Sequence, residues 1–235
     1  ITNTSSVQDL RYVNQRLEQC LPQLSLSERQ QLLYASTSMY QRFLASDRTT
    51  EQQRAFDQYA MSDNTYNTSY ISEFSPRDRY LLQHQGNAAY YEVYDSGDTG
   101  IMYRRQPKYL LHIFAPYLPK AEQIFIETLA AQNEFPVLSG NGFNISWAEI
   151  SRRALFWQNY VQTYPDSTLI DDAQRLKFKY TQFLFHGVSN MPVSSNYVGE
   201  DSIYPEALEE IKYLAAQDRS ELGQQAKKFL HFIQI

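Results

Sequence analysis

Apolar side chains recur every three or four residues along most of this chain, the spacing that places them on one face of an α-helix. The clearest example is residues 144–187, where two such stripes are separated by a few turn-forming residues. The stripes are Trp147, Ile150, Ala154, Trp157, Val161 and Tyr164, and then Leu169, Ala173, Leu176, Tyr180 and Phe183. Because so short a turn lets both stripes be buried only against each other, the pattern predicts an antiparallel helical hairpin.

The ends of these two helices carry residues with capping roles. Ser146 followed by Glu149 matches a capping box, in which each side chain bonds a backbone N–H of the first turn, so the first helix is predicted to begin there. Pro165 ends it, and residues 166–167 (Asp-Ser) are predicted to cap the second helix. Gly187 is predicted to end the second helix.

The hairpin pattern returns once, and Ala207 stands in the copy where Ala154 stands in the first hairpin. Matched positions of the first hairpin are Ala154, Tyr160, Val161, Ser167, Leu169, Ala173, Leu176 and Tyr180. Their counterparts, in the same order, are Ala207, Tyr213, Leu214, Ser220, Leu222, Ala226, Phe229 and Ile233. Asp218 and Glu221 are predicted to cap the second helix of the copy, and a helix-poor insert, residues 188–203, separates the two hairpins.

Residues 164–167 (Tyr-Pro-Asp-Ser), with Ala173 in the helix that follows, resemble the turn between helices of tetratricopeptide-like repeats in bacterial envelope proteins. Lipoproteins that assist outer-membrane assembly are one such group. The resemblance covers residues 144–235, and the second copy has residues 217–218 (Gln-Asp) in place of the Tyr-Pro pair. It implies a helical scaffold that binds partners on the periplasmic side, and it carries over no catalytic residue.

The rest of the chain predicts six further helices, most of them opened by a serine or threonine cap or by a proline. They fall at residues 6–21, 25–44, 50–61, 75–86, 107–114 and 118–132. Residues 62–72 are polar and lack periodicity, so we predict a loop there. This loop divides an N-terminal helical segment, residues 1–61, from a helical domain, residues 74–235; a single domain remains the alternative.

Residues 90–105 fit two interpretations. Residues 90–94 and 101–105 flank a glycine-containing turn at 95–100. This pattern favours either a β-hairpin of two short strands or the end of a helix followed by a loop. Since two strands alone are marginally stable, we predict a loop or a very short hairpin. The predicted fold class is therefore all-α, with stacked helical hairpins and a tetratricopeptide-like α-solenoid in the C-terminal half; one short β-hairpin near 90–105 is left open.

Composition narrows the classes of partner. A net charge of -5 and a pI near 5.4 argue against duplex nucleic acid, which needs a concentrated basic surface. No apolar run is long enough to predict a membrane span. Cys20 is the single cysteine, so it excludes an internal disulfide, and we predict it to be a small buried apolar residue.

The first residue bears on localisation. The chain begins at Ile1 without a methionine, which predicts a processed chain. With the resemblance, this favours a periplasmic or outer-membrane-anchored protein whose precursor carries a lipid anchor, and a cytoplasmic location stays open.

The chain carries no motif of a known reaction centre. Its four histidines, His84, His112, His186 and His231, lack the helical spacing of metal ligands, and neither a nucleophile elbow nor a phosphate-binding glycine loop is present. Glu127 and Glu149 are the acids best placed for two-carboxylate glycoside hydrolysis, but Glu149 already has a predicted capping role. We therefore predict no catalytic residue, no metal and no cofactor.

The densest group of aromatic and cationic side chains lies between residues 90 and 117. Its members are Tyr91, Tyr94, Tyr103, Arg104, Arg105, Lys108, Tyr109 and His112. Aromatic rings next to guanidinium groups suit a sugar, a peptide or an acidic partner. The alternative, which we favour, is that the tyrosines pack a helix layer while the arginines lie at its rim.

The leading functional hypothesis is a non-enzymatic, protein- or ligand-binding helical scaffold of the bacterial cell envelope, because stacked hairpins form extended binding surfaces. Its partner is expected to be another protein or an envelope glycan. One alternative is an enzyme acting on envelope glycan or peptide. The other is a small-ligand carrier with an aromatic-lined pocket between helices.

Overall fold

The structure, a computed structural model, describes residues 1–61, 68–86, 88–95, 101–139, 142–217 and 220–234. Within these ranges the chain forms ten α-helices and three short antiparallel strand pairs, which confirms the all-α class. The helices are α1 (Val7–Cys20), α2 (Leu26–Leu44), α3 (Thr50–Met61), α4 (Pro76–Gln83), α5 (Pro107–Ile113), α6 (Lys120–Glu134), α7 (Trp147–Thr163), α8 (Ile170–His186), α9 (Pro205–Ala216) and α10 (Glu221–Ile233). The strands are β1 (Tyr91–Asp95), β2 (Ile101–Arg105), β3 (Leu138–Ser139), β4 (Gly142–Phe143), β5 (Gly187–Val188) and β6 (Met191–Pro192).

The chain divides into two compact units, Ile1–Glu134 and Phe135–Ile235. The first holds α1 to α6 with the β1–β2 hairpin, and the second holds α7 to α10 with the two smaller strand pairs. The division predicted at residues 62–72 stays a prediction, because residues 62–67 lie outside the described ranges.

The β1–β2 hairpin is longer than the sequence predicted, with five residues paired in each strand from Tyr91–Arg105 to Asp95–Ile101. Its stability comes from helices that cover one face. The Tyr91 ring lies 6.1 Å from Phe43 of α2, and the Tyr103 ring lies 5.2 Å from Phe56 of α3. Two strands that bury aromatic rings against helices have the tertiary support that an isolated pair lacks. The turn between the strands, residues 96–100, lies outside the described ranges.

The predicted helical hairpin of residues 144–187 is confirmed as α7 and α8, which pack against each other. Its caps differ from the prediction. Ser146 accepts a bond from the Glu149 backbone N–H, but the Glu149 carboxylate accepts from two arginines instead of completing a capping box. Ser167 Oγ accepts from the Leu169 N–H and shares a hydrogen bond with the Tyr160 hydroxyl, so it stabilises the turn and α8 begins at Ile170.

The second predicted hairpin is formed by α9 and α10. Four matched pairs are buried in both hairpins: Ala154 with Ala207, Leu169 with Leu222, Ala173 with Ala226, and Tyr180 with Ile233. The match fails at Tyr160, which is buried, and Tyr213, which is exposed. Ser220 caps α10 by accepting from the Gly223 N–H, which corrects the cap predicted at Asp218 and Glu221; Asp218 lies outside the described ranges.

One local prediction in the N-terminal region is also corrected. Cys20 is exposed and not buried, because the chain tightens after α1 into a 3-10 turn, Leu21–Gln23, that turns Leu21 into the core. The third helix, predicted to begin at residue 50, is capped by Thr49 with Gln52 through reciprocal bonds of 2.9 and 3.3 Å. The boxes at Ser6 and Ser25 are complete.

Candidate binding surface

The β1–β2 hairpin separates the eight residues singled out in the sequence into an inner and an outer group. Successive side chains of a strand point to opposite faces, so the odd-numbered positions of β1 and β2 face the helices and the even-numbered ones face away. We call the second set, formed by Glu92, Tyr94, Met102 and Arg104, the outer hairpin face. The burial pattern agrees, since Tyr91, Ile101 and Tyr103 are buried while Met102 is exposed.

The inner group is part of the core of the first unit. Tyr91 donates a hydrogen bond from its hydroxyl to the Leu81 carbonyl at 2.7 Å, and Tyr103 donates to the Asp78 carbonyl at 3.3 Å. Tyr109 of α5 is fully buried, with its ring edge-on to Tyr40 of α2 at 4.9 Å. These three tyrosines pack the helix layer and do not present their rings to a partner.

Arg105 also belongs to the inner group. Its guanidinium lies 5.0 Å from the centre of the Tyr109 ring and donates from Nη1 to Ser36 Oγ at 2.9 Å and from Nη2 to Thr37 Oγ1 at 3.1 Å. The half-buried arginine therefore fastens β2 to α2. This arrangement agrees with the interpretation in which cations stand at the edge of a tyrosine layer.

The inner hydroxyls are unsuited to proton transfer near neutral pH. Burial raises the pKa of Tyr91 and of Tyr109 to about 12, and the positive charge of Arg105 opposes part of that rise at Tyr109. Burial likewise raises the pKa of Tyr40 and of Tyr103. All four side chains stay protonated, and the hydroxyls of Tyr40, Tyr91 and Tyr103 donate hydrogen bonds to backbone carbonyls within the core.

Arg104 on the outer hairpin face is held in one orientation by its neighbours. Its guanidinium carbon lies 3.6 Å from the centre of the Tyr94 ring, in cation–π contact. Its Nε and Nη2 atoms each lie 2.7 Å from Oε1 of Glu92, the residue opposite it in the hairpin. Asn133 of α6 donates to the same oxygen at 3.1 Å. The Arg104 and Glu92 side chains are 25% and 26% exposed, so the pair is fixed yet reachable from solvent.

The other two predicted residues lie on α5. Lys108 forms an exposed ion pair with Glu134 of α6 at 3.1 Å. His112 is exposed, and its ring meets the Tyr90 ring edge-on at 5.9 Å. Of the predicted residues, Tyr94 and Arg104 are therefore brought together, while Lys108 and His112 are not shown to join them.

Sequence reasoning missed three members of this neighbourhood. Glu92, Met102 and Asn133 were not singled out, although strict alternation along two paired strands would have placed Glu92 and Met102 with Tyr94 and Arg104. Asn133 had no such signal, since it reaches the site from a helix distant in sequence.

The acids considered for glycoside hydrolysis are not arranged for that reaction. Glu149 accepts from Arg152 and from the buried Arg153, each at 2.6 or 2.7 Å, and Glu127 is exposed on α6. Burial alone would raise the pKa of Glu149, but these hydrogen bonds outweigh it and hold the pKa below its usual range. Glu149 is therefore an ionised anchor for two arginines and not a proton donor.

Two findings concern whole classes of site. In the described ranges, His, Cys, Asp and Glu side chains form no group of three or more able to hold a metal ion. A search of the same ranges finds no helix with the length and apolar character needed to cross a membrane.

Comparison of the chain with protein-family models, with curated proteins and with solved structures gave no match.

Proposed function

We propose that this chain is a non-enzymatic helical scaffold that binds another protein through the outer hairpin face. The observation that supports it is the orientation of Arg104, which Tyr94 and Glu92 fix before any partner arrives. Ordering a long side chain on binding costs about 0.5–1.5 kcal/mol, and a prearranged arginine avoids that cost. Arginine and tyrosine are also the residues that most often dominate the binding energy of protein interfaces.

A protein partner is favoured over an envelope glycan by the same geometry. The guanidinium of Arg104 covers one face of the Tyr94 ring at 3.6 Å, and that face is then unavailable for stacking on a sugar. The outward Met102 adds an adaptable apolar side chain next to the polar pair, a combination suited to a peptide surface. A glycan remains an outcome that the experiment below distinguishes.

The proposal includes the tetratricopeptide-like arrangement of α7 to α10 and a location in the bacterial envelope. Support for the repeat comes from the four pairs of residues that are buried at matched positions of both hairpins. The envelope location and a lipid-anchored precursor rest on the resemblance of residues 164–167 alone. Fractionation of the source cells, followed by immunoblotting for this chain, tests the location.

Site-specific photo-crosslinking tests the binding surface. A benzophenone amino acid replaces Met102, and the control protein carries it at Leu26, an exposed apolar residue of α2 in the same unit. We expect a crosslinked protein of defined mass from Met102 and none from Leu26. Arg104→Ala in the Met102 background should abolish the product, because the partner then loses its fixed arginine.

Two other outcomes of the crosslinking are informative. A product from Met102 that persists in the Arg104→Ala variant, or that appears equally at Leu26, contradicts the proposed surface. A product whose added mass is removed by glycosidases identifies a glycan. Circular dichroism of the Arg104→Ala variant should match the unmodified chain, since the Arg104–Glu92 pair lies on the outer face and not in the core.

A further inference from the structure

The second unit carries an apolar tip that its own fold holds out in water. The tip is formed by Tyr197, Val198, Phe229 and Phe232. Val198 is 71% exposed and Phe232 is 63% exposed. The Gly199 N–H donates to the Ile233 carbonyl at 2.7 Å, so the backbone that bears Val198 lies against the end of α10 that bears Phe232. Large side chains this exposed and this close together mark interaction surfaces more often than isolated ones do.

The loop that bears Val198 is fastened at several points. Its entry is tied by the bond from the Val193 N–H to the His186 carbonyl, and its exit by the bond from the Tyr204 N–H to the Val193 carbonyl. Ser194 Oγ accepts from the Asn196 and Tyr197 N–H groups at 3.3 and 2.8 Å. The exposure of Val198 is therefore a property of a fixed loop.

Tyr197 is held in a conformation that a bulky residue seldom adopts. Its φ of 56° is in the left-handed region, where such a residue costs of the order of 1–3 kcal/mol. The Tyr197 ring packs near Phe229 at 6.1 Å and near His186 at 6.3 Å, which helps to offset that cost. Strain of this kind is commonly retained at binding sites.

The charge that α10 carries beside the tip is positive. It is that of Lys228, which is exposed and lies one helical turn before Phe232. After Glu221, α10 carries no acidic residue, and residues 193–199 carry no charge at all. Glu200, just beyond the tip, is engaged in an ion pair with Lys212. A partner that places a carboxylate beside its own apolar side chain therefore complements this surface.

The small number of side chains in the tip favours a short partner segment over a folded protein surface. Stable interfaces between folded proteins use about 20–30 residues on each side, far more than the few side chains gathered here. We infer that the tip docks a short acidic segment of another protein, in which a large apolar residue inserts between Val198 and Phe232 and a flanking Asp or Glu meets Lys228. This surface belongs to the second unit and does not depend on the outer hairpin face.

A peptide library tests the inference directly. Phage displaying random twelve-residue peptides are selected on the immobilised full chain, and the enriched peptides are synthesised and measured by fluorescence polarisation. We expect enriched peptides to share a large apolar residue flanked by Asp or Glu. Phe232→Asp and Val198→Asp should each weaken binding by about tenfold or more, as loss of a central apolar contact does.

Charge and position are tested by matched variants. Lys228→Glu should weaken binding by about threefold at low salt, and by less in 1 M salt, because exposed charges are then screened. Phe178 of α8 is 65% exposed in the same unit, so Phe178→Asp changes the same side chain elsewhere and should leave the affinity unchanged. Circular dichroism confirms that each variant is folded.

Each other outcome overturns the inference. No enrichment, enrichment of peptides without acidic residues, or equal weakening by Phe178→Asp removes the docking role of the tip. Cosedimentation with phosphatidylglycerol vesicles that is lost in Phe232→Asp, without peptide binding, shows that the tip recognises a lipid surface instead. Neither result bears on crosslinking at Met102, so this inference and the proposed function fail separately.

Discussion

At the scale of single residues, the most consequential side chains of this protein are buried charges with several partners. Asp78 accepts from Arg48 through both carboxylate oxygens, at 2.9 and 2.7 Å, and Arg48 stacks on the Phe56 ring at 3.8 Å. Arg153 is likewise buried and donates to Glu149 and to the Phe135 carbonyl. Helix periodicity does not reveal such pairs, because polar residues at inward positions look like surface residues until their partners are known.

The Arg48–Asp78 pair should contribute strongly to stability. Asp78→Asn leaves the Arg48 guanidinium buried without its countercharge, and we expect the free energy of unfolding to fall by about 3–5 kcal/mol. Asp172→Asn, which breaks the exposed Arg175–Asp172 pair, is the control and should change it by less than about 1 kcal/mol. Urea denaturation followed by circular dichroism measures both. Equal losses would show that burial does not govern the strength of these pairs.

Glu149 should make stability depend on pH in the acid range. Its folded-state pKa lies below the ordinary value of 4.5, so the unfolded chain binds a proton more readily than the folded chain does. The stabilisation is therefore complete above that ordinary pKa and is lost as the pH falls through the folded-state pKa. The difference in Tm between the unmodified chain and Glu149→Gln should narrow below about pH 4.5, and a Glu127→Gln series serves as the control. A gap that stays constant down to pH 3 contradicts this role.

At the scale of elements, the end of α8 shows how a glycine fixes a chain reversal. Gly187 ends the helix with a φ of +76° and begins β5, and a Cβ atom there would lie 2.2 Å from the Met191 carbonyl oxygen. Gly199 has a similar φ of +72°, but a Cβ atom there would meet nothing within 4 Å. Both positions have a backbone conformation that would strain any residue with a Cβ atom. They differ in the space that is available for that atom.

This difference gives a matched pair of substitutions. Gly199→Ala should cost about 1–3 kcal/mol of the free energy of unfolding, from backbone strain alone. Gly187→Ala should cost more, because the β5–β6 turn must also move away from the new methyl group. Thermal unfolding of the two variants side by side checks the order. A Gly187→Ala variant as stable as Gly199→Ala would show that the β5–β6 turn can move away from the methyl group without a loss of stability.

At the scale of the whole molecule, the chain is two units that each have their own core. The buried residues Phe43, Phe56 and Tyr109 belong to Ile1–Glu134, and Trp157, Leu184 and Leu214 belong to Phe135–Ile235. A unit with its own core is expected to fold alone.

Separate expression of residues 1–134 and 135–235 tests this division. We expect each fragment to show helical circular dichroism and a cooperative thermal transition, because the hydrogen bonds and ring contacts named above lie within one unit or the other. A fragment of residues 74–235, cut at the division predicted from the sequence, is the comparison. It lacks α2 and α3, which cover the β1–β2 hairpin, and we expect it to unfold less cooperatively. Cooperative unfolding of 74–235 alone would favour the earlier boundary.

The helices and most of their ends could be predicted from local pattern, and the candidate surface only in part. The helices predicted to begin at residues 25 and 75 do begin there, because Ser25 and Ser75 each cap the helix by accepting from the backbone N–H three residues later. The sequence identified residues of the candidate surface by their type, but it did not show which of them face the core and which face solvent. Tyr91 and Tyr94 look alike in the sequence, and only the pairing of β1 with β2 buries the first and leaves the second beside Arg104.

The sequence by itself determined the all-α class and the position of the α7–α8 hairpin, because helix formation depends on side chains within a turn or two of each other. The tertiary structure alone decided two things. It stabilised the β1–β2 hairpin through Phe43 and Phe56, and it left Cys20 exposed while Leu21 entered the core. Both depend on burial, and burial is set by elements far apart in the chain.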